Sequence, residues 1–157
     1  MAHVSAPEEF FASVTEAGRL LASHLSGMAR YESDAELTVL ATWASEGEHP
    51  VVPGPWPLEG HDIASRVFGT GRSTRIEDYH SLPGRIAAFV RAELGIRSSL
   101  ATPIVVEGRL WGILFIHSKQ TQGPLPGNAE ARLAQFTEPL ATAAANAERH
   151  TGLVRLG

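Results

Sequence analysis

From Ser98 to Ser118 the chain reads SSLATPIVVEGRLWGILFIHS, two apolar runs joined at the dipeptide Glu107-Gly108. This pattern predicts a β-hairpin, because β-branched and aromatic residues suit a pleated surface and a two-residue connection needs the positive φ that Gly108 adopts at little cost. The second run, Leu110 to Ile116, lacks clean alternation of apolar and polar positions, so both of its faces must be covered. It is therefore expected in the middle of a sheet. One face should meet helices and the other should floor a pocket.

Helical spacing dominates the two ends. Ser5-Ala6-Pro7-Glu8 has capping-box spacing, and Phe10, Val14, Ala17, Leu21 and Leu25 then form one apolar stripe. His24 beside that stripe reads as a partly exposed helix-end histidine. Near the other end, Asn128 is placed to cap a long helix reaching about residue 150, with Leu133, Phe136, Leu140, Ala144 and Ala147 on one side and a kink at Pro139.

Between them, Met28 to Glu32 and Glu36 to Ser45 read as strands joined by a turn at Ser33-Asp34-Ala35. Period-two alternation puts Leu37, Val39, Ala41 and Trp43 on one face and Thr38, Leu40 and Thr42 on the other. Residues 46–60 carry four prolines and three glycines and form a loop that crosses the sheet, with Trp56 plugging the core rim or covering a ligand and His49 facing solvent. A short helix follows from His61 to Phe68, with Ile63, Val67 and Phe68 inward and Gly69-Thr70-Gly71 ending it. Arg72 to Asp78 then extends, residues 79–84 turn, and Arg85 to Leu94 form a helix with Ile86, Phe89 and Val90 inward. A loop over 120–127 precedes the last helix.

A chain of 157 residues fits one domain with a single core, assigned here to residues 5–155, with 1–4 a linker or remnant. The absence of cysteine removes disulfides, thiol nucleophiles, thiolate metal sites and covalent chromophore attachment, and it suits a reducing cytoplasm. Thirteen Lys and Arg against seventeen Asp and Glu give a net charge of −4 with no basic block, which argues against nucleic-acid binding. No apolar run reaches the roughly 20 residues that span a bilayer, so no membrane contact is expected of this domain.

Catalytic chemistry finds little support. His61-Asp62, Glu77-Asp78 and Tyr79-His80 are sequence neighbours whose side chains diverge on a helix or strand, and Asp62 is better placed as a favourable charge at a helix start. Ser98-Ser99 lacks a nucleophile-elbow context. The seven histidines contain no H-x-x-x-H pair and no local three-ligand cluster, so no metal site is predicted. His117, at the end of a central strand, reads as a hydrogen-bonded boundary histidine or as a group at a pocket mouth.

Three segments carry a resemblance. PWPLEGHDIASRVFGTGRSTRIED, SLATPIVVEGRLWGIL and Ala144-Ala145-Asn146-Ala147-Glu148 are similar, in that order, to motifs of the GAF domain family, with Gly60, Gly69, Gly71, Asp78, Pro103, Gly108, Gly112 and Asn146 on the family pattern. The variant most resembles GAF modules of actinobacterial sensor histidine kinases. The resemblance implies an α+β fold: a twisted antiparallel sheet of five or six strands, both terminal helices behind it, and loops and short helices in front. It also implies a sensory module of a bacterial two-component protein, relaying through those helices and forming a homodimer, rather than an enzyme. The family's methionine sulfoxide reductases work through cysteines, absent here; the cyclic-nucleotide signature is absent too; and Ala92-Glu93-Leu94-Gly95 stands where haem-binding members have their histidine. Covalent bilin is excluded and haem is disfavoured, leaving the cofactor unknown.

What remains is a noncovalent pocket of Trp43, Trp56, Ile63, Phe68, Ile76, Tyr79 and Phe89, with Arg72, Arg75 and His80 as polar anchors, placed by analogy of fold. The other reading is a ligand-free dimerisation module whose front aromatics simply close the core. A front cavity of roughly 300 Å³ or more with convergent polar groups would favour sensing.

Overall fold

The computed structural model describes residues 7–21, 24–47, 53–119 and 125–151. In chain order these form α1 (Glu8–Leu20), β1 (Leu25–Tyr31), β2 (Glu36–Ala44), β3 (Trp56–Pro57), α2 (Ile63–Thr70), β4 (Thr74–Ile76), α3 (Arg85–Ala88, continued by a π-helical turn over Phe89–Glu93), β5 (Ile96–Val106), β6 (Arg109–Lys119), α4 (Ala129–Ala134) and α5 (Thr137–Thr151). The six strands make one antiparallel sheet in the order β3-β2-β1-β6-β5-β4. The β5–β6 hairpin turns at Glu107 (φ 52°) and Gly108 (φ 79°), both in the left-handed region that matches the strands' twist. As the hairpin pattern requires, β6 lies inside the sheet, between β1 and β5.

Alternation along β6 divides its tasks. Leu114 and Ile116 enter the rear core with Phe10 and Val14 of α1, Leu133 of α4 and Leu140 and Ala144 of α5, while Ile113 and Phe115 enter the front core under α2 and α3. The helices that open and close the described fold thus share the rear face, and their stripes are consumed by one sheet.

Two extra residues reset the alternation. On β2, Ala41 stands opposite Met28 and Val39 opposite Ala29, so Leu40 is an additional residue. Leu37 and Val39 face the front, whereas Ala41 and Trp43 face the rear. The expectation of one face for all four fails because an uninterrupted period of two cannot include a bulge. On β6, Gly112 stands opposite Ile104 and Leu110 opposite Val105, leaving Trp111 as the extra residue. Its indole turns to the rear, edge-on to Phe10 at 6.1 Å, and donates to Glu148 Oε2 at 2.7 Å.

Other expectations change at element ends. Leu25 does not extend the α1 stripe, because it opens β1 and faces the front core. Pro139 does not kink a continuous helix. The chain breaks at Gln135-Phe136 and restarts at Thr137, which puts Pro139 in a first turn where its missing N–H costs little. Asn128 precedes α4 without a side-chain cap. His24, partly buried between α1 and β1, accepts the Lys119 N–H at Nδ1 at 2.9 Å. The expectations for Ser5, His49 and residues 120–124 lie outside the described residues.

Front helix α2 is delimited by its own sequence. Asp62 is the residue before the helix, not within its first turn, and its carboxylate accepts Ser65 N–H at 2.8 Å and Ser65 Oγ–H at 2.9 Å. Gly71 closes the helix at φ 67°. Asp62→Ala should lower stability by about 1 kcal/mol, read as a shifted urea midpoint with an unchanged slope.

Candidate functional site

The front face carries a half-open pocket of about 80 Å³. Its floor comes from Leu25 of β1, Leu37, Val39 and Thr42 of β2, and Ile113, Phe115 and His117 of β6. Its roof comes from Ile63 and Ala64 of α2, from Ile86, Phe89, Val90 and Leu94 of the α3 segment, and from Trp56 of β3. The rings of Trp56 and Phe89 meet at 5.0 Å and 51°. Two local features make this arrangement. Gly27 has no Cβ, which lets the Phe115 ring lie across β1. The π-helical turn, closed by Leu94 N–H donating to Phe89 O at 3.2 Å, inserts one residue and aims Phe89, Val90 and Leu94 together at the cavity.

Thr42 and His117 are the polar side chains of this lining. His117 is buried, its ring 4.9 Å from that of Phe115, and Nδ1 shares a hydrogen bond with Ser99 Oγ on the neighbouring strand. The buried Tyr79 hydroxyl faces Ser99 without closing a hydrogen bond of good geometry. A polar file thus runs Tyr79, Ser99, His117 from the turn before α3 to the cavity wall.

Burial raises the Tyr79 phenol well above its ordinary range, with Ser99 opposing, and burial together with the Asp62 charge raises that of Tyr31, whose hydroxyl donates to Ala64 O at 2.6 Å. Both folded-state values lie above the unfolded value of about 10, so their contribution is complete below pH 10 and is lost as pH rises beyond it. Alkaline unfolding should begin near pH 10 together with tyrosinate absorbance at 295 nm, and Tyr31→Phe should delay it.

Of the residues predicted to form the pocket, Trp56, Ile63 and Phe89 line the cavity. Ile76 and Tyr79 are buried in the front core beside Ser99, outside the lining. Trp43 sits on the rear face because of the bulge at Leu40. Phe68 lies on the outer side of α2, 39% exposed, edge-on to Tyr31 at 5.0 Å. Arg75 alternates to the rear, where it pairs with Glu130 of α4 at 2.7 Å and donates to the carbonyls of Leu125 and Pro126. Arg72 is exposed, and His80 borders a separate surface cleft with Asp78, Arg91 and Arg97. None of the three proposed polar anchors lines this pocket, whereas His117 does. Alternation on β6 could have identified Ile113, Phe115 and His117 as one face.

The pocket is smaller than the roughly 300 Å³ of a drug-sized site. Among the described residues, no group of three or more His, Asp or Glu side chains comes together as a metal site, and no helix is long and apolar enough to cross a membrane.

Comparison with known proteins follows the fold. The family model described as GAF domain matches residues 8–147. Protein YtsP of Bacillus subtilis (strain 168) is 31% identical over 86 residues, which are 55% of this chain and 50% of YtsP, so the match spans about half the length of that relative. A free methionine-R-sulfoxide reductase from Neisseria meningitidis, solved with its substrate, is similar in fold at TM-score 0.66 and 15% identity, over 89% of this chain and 78% of that one. The phycocyanobilin-bound GAF domain of a cyanobacterial phytochrome is similar at TM-score 0.65 and 20% identity, over 90% and 86%.

Proposed function

This chain belongs to the GAF domain family, whose members are sensory and regulatory modules of signalling proteins, and we propose that it is a non-enzymatic sensory module that binds a small molecule non-covalently in the front cavity. The observation that carries this reading is the cavity itself, apolar and set on the face of the sheet opposite α1 and α5. A ligand there would press on β1 and β6, whose rear residues pack against those helices, so occupancy has a short mechanical path to the domain's ends. We place the module in a cytoplasmic two-component sensor histidine kinase of actinobacterial type, a reading supported by the sequence resemblance alone.

The bilin of the solved relatives fits poorly. A pocket of about 80 Å³ holds only part of a tetrapyrrole, and the chain has no cysteine for covalent attachment. We also propose that the module pairs with a second copy through its terminal helices, since Phe11 (44%) and Leu20 (56%) of α1 remain exposed.

The cavity's modest size favours a second reading, a ligand-free dimerisation spacer. Native mass spectrometry of freshly purified protein, followed by a thermal-shift screen of metabolites, separates the two. Sensing predicts a retained or added mass and a raised midpoint, because a ligand that binds only the folded state stabilises it. A midpoint unmoved by every compound supports the spacer.

A further inference from the structure

We infer that the front pocket takes the hydrocarbon end of its ligand, an aromatic ring or alkyl group that enters between β2 and the α3 segment, and that any charged group of the ligand stays at the mouth. The inference rests on the sensing reading and specifies the chemistry of the ligand at the same site. The pocket is open on one side, so a ligand can extend out of it and the pocket volume sets no limit on the whole molecule.

Charge carries the argument. Of the fourteen described residues that line the pocket, twelve are apolar and none is Asp, Glu, Lys or Arg. Of the two polar members, Thr42 carries no charge and His117 is engaged by Ser99 at Nδ1. A carboxylate, phosphate or ammonium group carried into the depth would lose its hydration with no carboxylate, lysine or arginine there to pair with it. The arginines of the surrounding elements are committed elsewhere: Arg75 pairs with Glu130 on the rear, and Arg91 donates to the carbonyls of Tyr79 and Leu82.

Exposure supplies the orientation. Ile63, Ala64, Val90, Ile113 and Phe115 are buried and form the depth of the pocket. Val39 and Thr42 of β2, Trp56 of β3, and Ile86, Phe89 and Leu94 of the α3 segment are half-buried and surround the way in. Trp56 and Phe89 at the mouth and Phe115 on the floor offer aromatic surface to a ring or an alkyl group. An amphipathic molecule can therefore lose water from its apolar end among these side chains and keep its polar end hydrated beside Thr42.

The test is methyl-detected NMR of the full chain with toluene, phenylacetate, 1,4-phenylenediacetate and the dimethyl ester of that diacid as probes. Toluene, phenylacetate and the diester should saturably shift the methyl signals of Ile113 and Val90. The diacid, which cannot insert either end without burying a carboxylate, should bind at least about a hundredfold more weakly than the diester, the loss expected when one ion gives up its hydration unpaired. Nuclear Overhauser contacts should join the ring protons of phenylacetate to Ile113 and its methylene protons to Thr42. Val39→Phe from the floor should abolish the shifts, and Ala64→Leu repeats the experiment from the roof in case the first variant folds poorly. Saturable binding of the diacid at Ile113 and Val90 would overturn the charge rule, as would a silent diester, which would assign the exclusion to length instead. Methylene contacts at Ile113 would overturn the orientation. Shifts that survive both filling variants, or no response to toluene and phenylacetate, would overturn the inference. The sensing reading fails with it only if the thermal-shift screen of metabolites is also blank.

Discussion

Gly112→Ala should destabilise the domain by about 3 kcal/mol, near the upper end for overpacking by one methyl group. Gly112 sits on β6 opposite Arg30 of β1, and a Cβ there would overlap the Ala29 carbonyl oxygen and lie 3.1 Å from Ala29 C and 3.2 Å from Arg30 Cα. These are backbone atoms of a strand whose seven residues are all buried, so no flexible side chain can yield. Either the β1–β6 pairing opens or the bulge at Trp111 rearranges, and that bulge directs the indole toward Phe10 and Glu148. Urea denaturation followed by tryptophan fluorescence measures the loss. Gly69→Ala is the matching control: a Cβ there meets nothing within 4 Å, the residue lies inside α2, and helix propensity makes the change neutral or stabilising by up to about 1 kcal/mol.

Leu140→Asp should abolish the folded domain. Leu140 is fully buried in the rear core where α5 meets the sheet, among apolar side chains. The substitution removes a large apolar contact, worth about 2–5 kcal/mol on truncation alone, and adds the desolvation of a charge or of its protonated form. Together these rival the whole stability of an ordinary domain, about 5–15 kcal/mol. The expected result is loss of near-ultraviolet dichroism and of a cooperative thermal transition. Leu140 is therefore unsuited to testing self-association. Leu20→Asp serves instead: Leu20 is 56% exposed, so stability should change by less than about 0.5 kcal/mol, while sedimentation should show a dimer becoming a monomer.

The scaffold was legible because its strongest signals are periodic and local. The hairpin needed only the apolar density of Ile104 to Ile116 and a glycine at the turn, and the rear layer needed only the three- and four-residue spacing of Phe10, Val14 and Ala17. The candidate site was less legible because its composition depends on parity. One extra residue at Leu40 moved Trp43 from the front to the rear, and the alternation of three short-strand residues sent Arg75 to α4. Phe68 followed helical spacing yet faced outward, since α2 has only eight residues and buries Ile63, Ala64 and Val67. The π-helical turn at Phe89 to Glu93 carries no pattern that separates it from an α-helix until the Leu94 to Phe89 hydrogen bond is seen. His117 was visible as a strand-end histidine in alternation with Ile113 and Phe115, but its hydrogen bond to Ser99 is a contact between strands.

The front pocket is the module's proposed input. Thermal denaturation of the wild type and of Val39→Phe, run side by side across one small-molecule screen, tests it most directly. At least one compound should raise the wild-type midpoint and leave that of Val39→Phe unchanged, because the larger side chain fills the floor of the pocket. A filled variant that is as stable as the wild type or more so, with neither protein responding to any compound, would contradict it and leave the front face as a packed wall.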